Sequence, residues 1–182
     1  MLPLSIEGDL LGSWRQVRAT ARLHEQVTRL FEDAREDVYR YLLTLGVYPP
    51  QAQEATQEVF LRLYTALRKG EEIRKPRAWI FRVAHNLGID IRTRQDTELP
   101  YAPELDFRHA GHRANPEQQL AERERTIRFH RAMEGLSDQQ RRCLFLRLEG
   151  LRYSEIADAL GISASAVGEF LRRAIERLRR TS

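Results

Sequence analysis

Residues Tyr153 to Arg180 read YSEIADALGISASAVGEFLRRAIERLRR. Ile156, Ala157 and Leu160 fall on one side of a short helix, and Gly161 permits a left-handed turn at its end. Ile162 then fills the gap between two helices, Ser163 is an N-cap, and Val167, Leu171, Ala174 and Leu178 continue the buried seam of a longer second helix. A glycine turn with a small residue, Ala157, at the crossing is the helix-turn-helix pattern. Such a unit offers the start of its second helix to the major groove, with Ser163, Ser165, Ala166, Glu169, Arg172 and Arg173 outward. Arg172, Arg173, Arg177, Arg179 and Arg180 are suited to phosphates or base edges. Glu169 repels phosphate but can accept a hydrogen bond from a cytosine amino group. The same pattern also fits a helical hairpin that merely packs, with its terminal arginines solvated or set against the helix dipole.

Upstream of this unit the apolar spacing is helical nearly everywhere. Val27, Leu30, Phe31, Ala34, Val38, Tyr41, Leu42 and Leu45 follow a three-and-four rhythm, which GVYPP stops. Pro50 suits the first turn of a second helix carrying Ala52, Ala55, Val59, Phe60, Leu63 and Leu67 and ending near Gly70. Pro76 opens a third, with Trp79, Ile80, Val83, Leu87 and Ile91 inward. No segment alternates as a strand does. From about Gln95 to Asn115 the rhythm disappears into QDTELPYAPELDFRHAGHRAN, which reads as a linker. It resumes after Pro116, and Ser137 to Gln140 form a capping box before a helix with Cys143, Leu144 and Leu148. The expected fold is all-α: two small helical domains, 23–95 and 116–182, joined by a flexible linker at 96–115, the C-terminal one containing the helix-turn-helix. Residues 1–22 are an N-terminal extension, read as a weak helix of its own.

Charge is distributed unevenly along the 182 residues. The 30 basic residues include only two lysines, Lys69 and Lys75, and the net charge is +4. Arg68 to Arg94 and Arg141 to the C-terminus are basic, while Asp96 to Glu124 is acidic. Solvated helix faces account for this as well as two nucleic-acid contact regions around an acidic tether do. The longest uncharged stretch, Tyr41 to Gln53, is shorter than the about 20 apolar residues of a membrane span. MLPLSIEGDL has no basic region leading into an apolar run, so no secretory signal is expected. One cysteine permits no internal disulfide. A cytoplasmic protein without membrane insertion is expected.

Two N-terminal segments carry more. AQEATQEVFLRLYTAL is an amphipathic helix with an acidic-amide patch at Glu54, Gln57 and Glu58, and Arg62 one turn on. PRAWIFRVAHNLGIDIRTR mixes aromatic and basic residues on a second helix; Trp79 and Phe81 read either as stacking platforms for unpaired bases or as core. TQEVFLRL, PRAWIFRVAHNLGID and LSDQQRRCLFLRLEGLRYSEIADALGIS, in this order, resemble a bacterial extracytoplasmic-function sigma factor. This is the minimal two-domain form of the factors that direct RNA polymerase to promoters. The resemblance covers about Thr28 to Arg94 and Glu117 to Arg180.

The resemblance implies core RNA polymerase and promoter DNA as partners. Glu54, Gln57, Glu58 and Arg62 fall where the family grips the clamp coiled coil of the polymerase's largest catalytic subunit. Lys69, Arg74, Lys75 and Arg77, then Arg82, Asn86, Asp90 and Arg94, fall where it opens the minus-ten element and captures a flipped base. The helix-turn-helix matches the reader of the minus-thirty-five element, and the linker would run near the polymerase cleft. An anti-sigma factor is a further implied partner.

Three positions depart from the family pattern. Gly168 stands for a lysine or other polar residue, Phe170 for an arginine, and Arg152 for a capping serine or threonine. A glycine inside a helix costs about 1 kcal/mol against alanine, which points to a close approach or to drift, and Phe170 is expected against the first helix of the unit. His109, His112, His130 and Cys143 lack metal-ligand spacing, so neither metal nor cofactor is expected, and Cys143 reads as core. No phosphate loop or nucleophile motif points to an enzyme. Two rival readings remain: a stand-alone helix-turn-helix regulator, which leaves TQEVF unexplained, and an interaction adaptor, which has no use for the basic helix.

Overall fold

The computed structural model describes residues 5–98 and 135–181. Among them run six helices: α1 (Ser5–Thr44), α2 (Pro49–Arg68), α3 (Pro76–Glu98), α4 (Asp138–Leu148), α5 (Tyr153–Leu160) and α6 (Ala164–Thr181). No described residue is in a strand.

α1, α2 and α3 pack on one another because each presents one apolar stripe. Val38, Tyr41, Leu42 and Leu45 of α1 and the turn after it meet Ala52, Val59 and Leu63 of α2 and Ile80, Phe81 and Ala84 of α3, all nearly inaccessible to water. The turn between α1 and α2 is fixed by Gly46, whose φ of +86° lies in the left-handed region. There the Gly46 N–H donates to the Leu43 carbonyl at 2.9 Å and the Val47 N–H to the Leu42 carbonyl at 3.2 Å, closing the helix end. Two prolines then open α2, where missing amide protons cost nothing.

Both ends of this unit run past the expected limits. α1 continues back to Ser5 without a break at position 22, so the extension and the first expected helix are one element. α3 continues to Glu98, beyond the position where the apolar rhythm fades, and Gln95 is buried there beside Gln51. Residues 99–134, with most of the expected linker and the helix after Pro116, lie outside the described residues.

The second unit is α4, α5 and α6. Ser137 caps α4 through the reciprocal box: its Oγ accepts from the Gln140 N–H, and the Gln140 side chain accepts from the Ser137 N–H at 2.9 Å. Cys143, Leu146, Leu151, Ile156, Val167, Leu171 and Ala174 form its core. The two units touch: α5 packs on α3 and α4 on α1, and their buried residues form one continuous cluster.

Candidate nucleic-acid interface

The turn between α5 and α6 has the geometry that the sequence calls for. Gly161 sits at φ +65°, and the Ile162 N–H donates back to the Ala157 carbonyl at 3.1 Å. Ile162 packs against the core, and Ser163 Oγ accepts the Ala166 N–H at 3.1 Å as the N-cap of α6. Ser163, Ser165, Arg172 and Arg173 are exposed, Ala166 and Glu169 half-buried. Arg152 makes no side-chain cap for α5, an arginine having only donors; instead Glu155 accepts the Arg152 N–H at 2.8 Å.

The cations on α6 are held by its own carboxylates. Glu169 accepts from Arg172 at 2.7 and 3.1 Å and from Arg173 at 2.7 Å, and Arg172 also donates to Glu176 at 2.6 Å. Hydrogen bonds from Arg172 and then Arg173 hold the Glu169 carboxyl well below its usual range, and those to Glu169 and Glu176 raise Arg172 further. The side of α6 that faces outward is therefore a zwitterionic lattice with pre-oriented guanidinium planes. Phe170 packs against the core cluster, as expected. No close approach demands Gly168: a Cβ there would meet the Tyr153 ring at an ordinary 3.6 Å.

On α3, Arg82, Asn86 and Asp90 recur every fourth residue and are exposed, with Arg94 following. Phe81 is fully buried against Tyr41, in an edge-on contact with centroids 5.6 Å apart, so it cannot stack on a base. Trp79 is partly buried on the same core. Before α3, Lys69 and Arg74 are exposed, and Arg74 pairs with Glu72 at 2.9 Å.

On α2, Glu54 and Gln57 are exposed, and Glu58 accepts from Arg62 at 2.7 Å. Leu61, which the sequence reading missed, is 60% exposed on the same stripe, three and four residues beyond Glu58 and Gln57. Its signal was its place off the seam of Val59, Phe60 and Leu63, but in sequence it looks like any other helix leucine. Glu54 and Glu58 also line an open groove of about 450 Å³ with Leu87, Ile91 and Arg94 of α3. Residues assigned to two separate tasks thus share one depression.

Lys75 and Arg77 meet the second unit. Arg77 donates to Asp37 of α1 at 2.8 Å, to the Glu149 carboxylate, and through Nε to the Glu149 carbonyl at 2.9 Å. Lys75 pairs with Glu155 at 2.9 Å. Burial works against the charged Arg77, yet its two carboxylate partners raise it above its ordinary value. Burial and then Asp37 push the Glu149 carboxyl up, whereas on Asp37 the hydrogen bonds outweigh burial and lower it. Contacts 72 and 80 residues apart in sequence leave no local signal.

Cys143 is fully buried, and burial pushes its thiol up to about 11, consistent with a core residue. The described residues contain no cluster of three metal-ligating side chains, and no described helix is long and apolar enough to cross a membrane. His109, His112 and His130 lie outside the described residues.

Residues 30–98 match the family described as Sigma-70 region 2, and residues 126–178 the family described as Sigma-70, region 4. The chain is similar to the ferric citrate uptake sigma factor FecI of Escherichia coli, at 30% identity over 69% of this chain and 72% of that protein. It is 28% identical to the ECF RNA polymerase sigma factor SigM of Bacillus subtilis over 84% of this chain and 93% of the relative. Among solved structures, the sigma factor RpoE in complex with the anti-sigma factor NepR from Bartonella quintana shares the fold. The TM-score is 0.64 at 18% identity, covering 86% of this chain and 96% of the other.

Proposed function

The chain belongs to the sigma-70 family as one of its extracytoplasmic-function members, and from that premise we propose how its two units divide promoter-specific initiation by RNA polymerase. The α2 stripe of Glu54, Gln57, Glu58 and Arg62, with Leu61 at its end, docks on a basic helical surface of core polymerase. Carboxylates there provide register and speed of encounter, and an exposed leucine provides an apolar anchor.

The loop residues Lys69, Arg74, Lys75 and Arg77, and the α3 stripe of Arg82, Asn86, Asp90 and Arg94, hold the opened minus-ten strand. Unstacking a base costs a few kcal/mol, which phosphate contacts and a base pocket offset. With Phe81 in the core, any base platform on this helix falls to Trp79 or to polar side chains. The N-terminal end of α6 reads the minus-thirty-five element through Ser163, Ser165, Ala166, Glu169, Arg172 and Arg173. Because Glu169 binds both arginines, it sets their planes before DNA arrives and lowers the non-specific affinity of the helix.

The domain limits 23–95 and 116–182, with a linker at 96–115, belong to this reading. So does action in the cytoplasm, binding without catalysis, and restraint by an anti-sigma protein of the kind bound to RpoE in the solved complex.

The observation that carries the reading is that the two family regions fall, in order, on two helical units that each expose a polar stripe beside a complete core. The test is run-off transcription with purified core polymerase on a promoter library. Polymerase binding with promoter-dependent transcripts is expected; neither binding nor transcripts would sink it. Tight operator binding without polymerase would favour the stand-alone regulator instead.

A further inference from the structure

We propose that α4, α5 and the turn between them are an intramolecular clasp that covers the minus-ten loop of the free protein, so that the second unit and promoter DNA compete for Lys75 and Arg77. The inference rests on the assignment of that loop to the minus-ten element.

Three separate contacts make the clasp. Glu149 and Glu155 give the two cations the carboxylate oxygens that a nucleic-acid backbone would otherwise supply as phosphate. The Glu149 carbonyl accepts a further hydrogen bond from Arg77 at 2.9 Å. Beside them Phe145 of α4 packs on Tyr41 of α1 and Phe81 of α3, with ring centroids 5.4 and 6.4 Å apart. An aromatic residue facing the other unit rather than its own core marks a surface built to be covered.

The closed arrangement is not the one that reads a promoter. Elements centred near positions ten and thirty-five are about 25 base pairs apart, roughly 85 Å of duplex. Two touching domains of this size span about 55 Å. The chain between Glu98 and Gly135 can reach at most about 120 Å, enough for the units to part. Nor is the clasp built to hold permanently. Partly exposed ion pairs contribute about 0–1 kcal/mol each, and Arg142, directed at His85 and Tyr41, keeps a buried Nε without a hydrogen-bond partner. Polymerase, by engaging both units at a distance, selects the open form. The recognition face of α6 stays exposed throughout, so the clasp withholds DNA melting rather than duplex contact.

The test compares the full-length protein with Phe145→Ala and with the pair Glu149→Gln and Glu155→Gln. Each is measured by small-angle X-ray scattering, by anisotropy on a fluorescein-labelled random-sequence single strand without polymerase, and by run-off transcription with it. The free parent protein should scatter as a compact particle, and both variants should expand. Their single-strand affinity should rise about tenfold if the open form goes from a tenth of the population to nearly all of it. Transcript levels at saturating polymerase should be unchanged. Phe145→Ala alters no charge, so its gain cannot be electrostatic; should it lose helical signal, expansion of the glutamine pair decides. An already extended parent, or an affinity gain in the glutamine pair without expansion, would overturn the clasp while leaving transcription intact. Absence of transcripts from the parent would defeat the family reading and this inference with it.

Discussion

Gly88 and Gly168 are both helical glycines, and their surroundings make opposite demands. A Cβ on Gly88 would lie 2.5 Å from Leu45 and 3.0 Å from Leu42, where α3 crosses α1. Gly88→Ala should therefore lower stability by about 1–3 kcal/mol through overpacking, read as a shift in the urea midpoint at unchanged slope. At Gly168 the added methyl meets only the Tyr153 ring at ordinary distance. Gly168→Ala should raise stability by about 0.5–1 kcal/mol through helix propensity alone, and a loss on thermal melting would mean that α6 needs the glycine for something else. Sequence reading named Gly168 as a departure but could not separate close approach from drift, and it had no reason to single out Gly88. Only the neighbours across the helix crossing distinguish the two.

At the level of the helix, α2 and α6 carry the partner surfaces, and both were legible because exposure follows the 3.6-residue period. Replacing Glu54, Gln57 and Glu58 together with alanine should weaken core polymerase binding about tenfold or more, with stability little changed because none of them is in the core. Surface plasmon resonance against immobilised core enzyme measures it, and an unaltered dissociation constant removes α2 from the interface. Arg172→Ala with Arg173→Ala should reduce discrimination at the upstream element by about 1–3 kcal/mol for each arginine that pairs with a base edge, scored by promoter competition with and without that element. Equal use of both promoters would assign those arginines to their Glu169 lattice alone. That lattice follows from the three-and-four spacing, and so was within reach of the sequence. The length of α1 was not: a helix continuous from Ser5 depends on no strong stop occurring around position 22, and weak apolar rhythm there looked like a separate piece.

For the molecule as a whole, the seam between the units creates an acid sensitivity. His85 of α3 faces the Tyr41 hydroxyl at 3.0 Å and is buried; burial and then Arg142 from the second unit lower it to about 4 from 6.5. The unfolded chain thus takes up a proton between about pH 6.5 and 4 that the native protein refuses. Stability is full above pH 6.5 and falls toward pH 4, by an amount of order 2–3 kcal/mol. His85→Gln should flatten this part of the curve of melting temperature against pH, and parallel curves for variant and parent would exclude the histidine as its source.

Apolar spacing, the glycine and proline stops and the serine caps by themselves determined an all-helical chain, its helix-turn-helix and the family to which it belongs, since these depend on contacts within a few residues. Tertiary structure alone decided that Phe81 is core rather than a base platform, and that Leu61 is exposed beside the acidic stripe. It also decided that Arg77 lies between Asp37 and Glu149. A side chain's neighbours from distant segments are set by how whole helices pack, and no local periodicity records them.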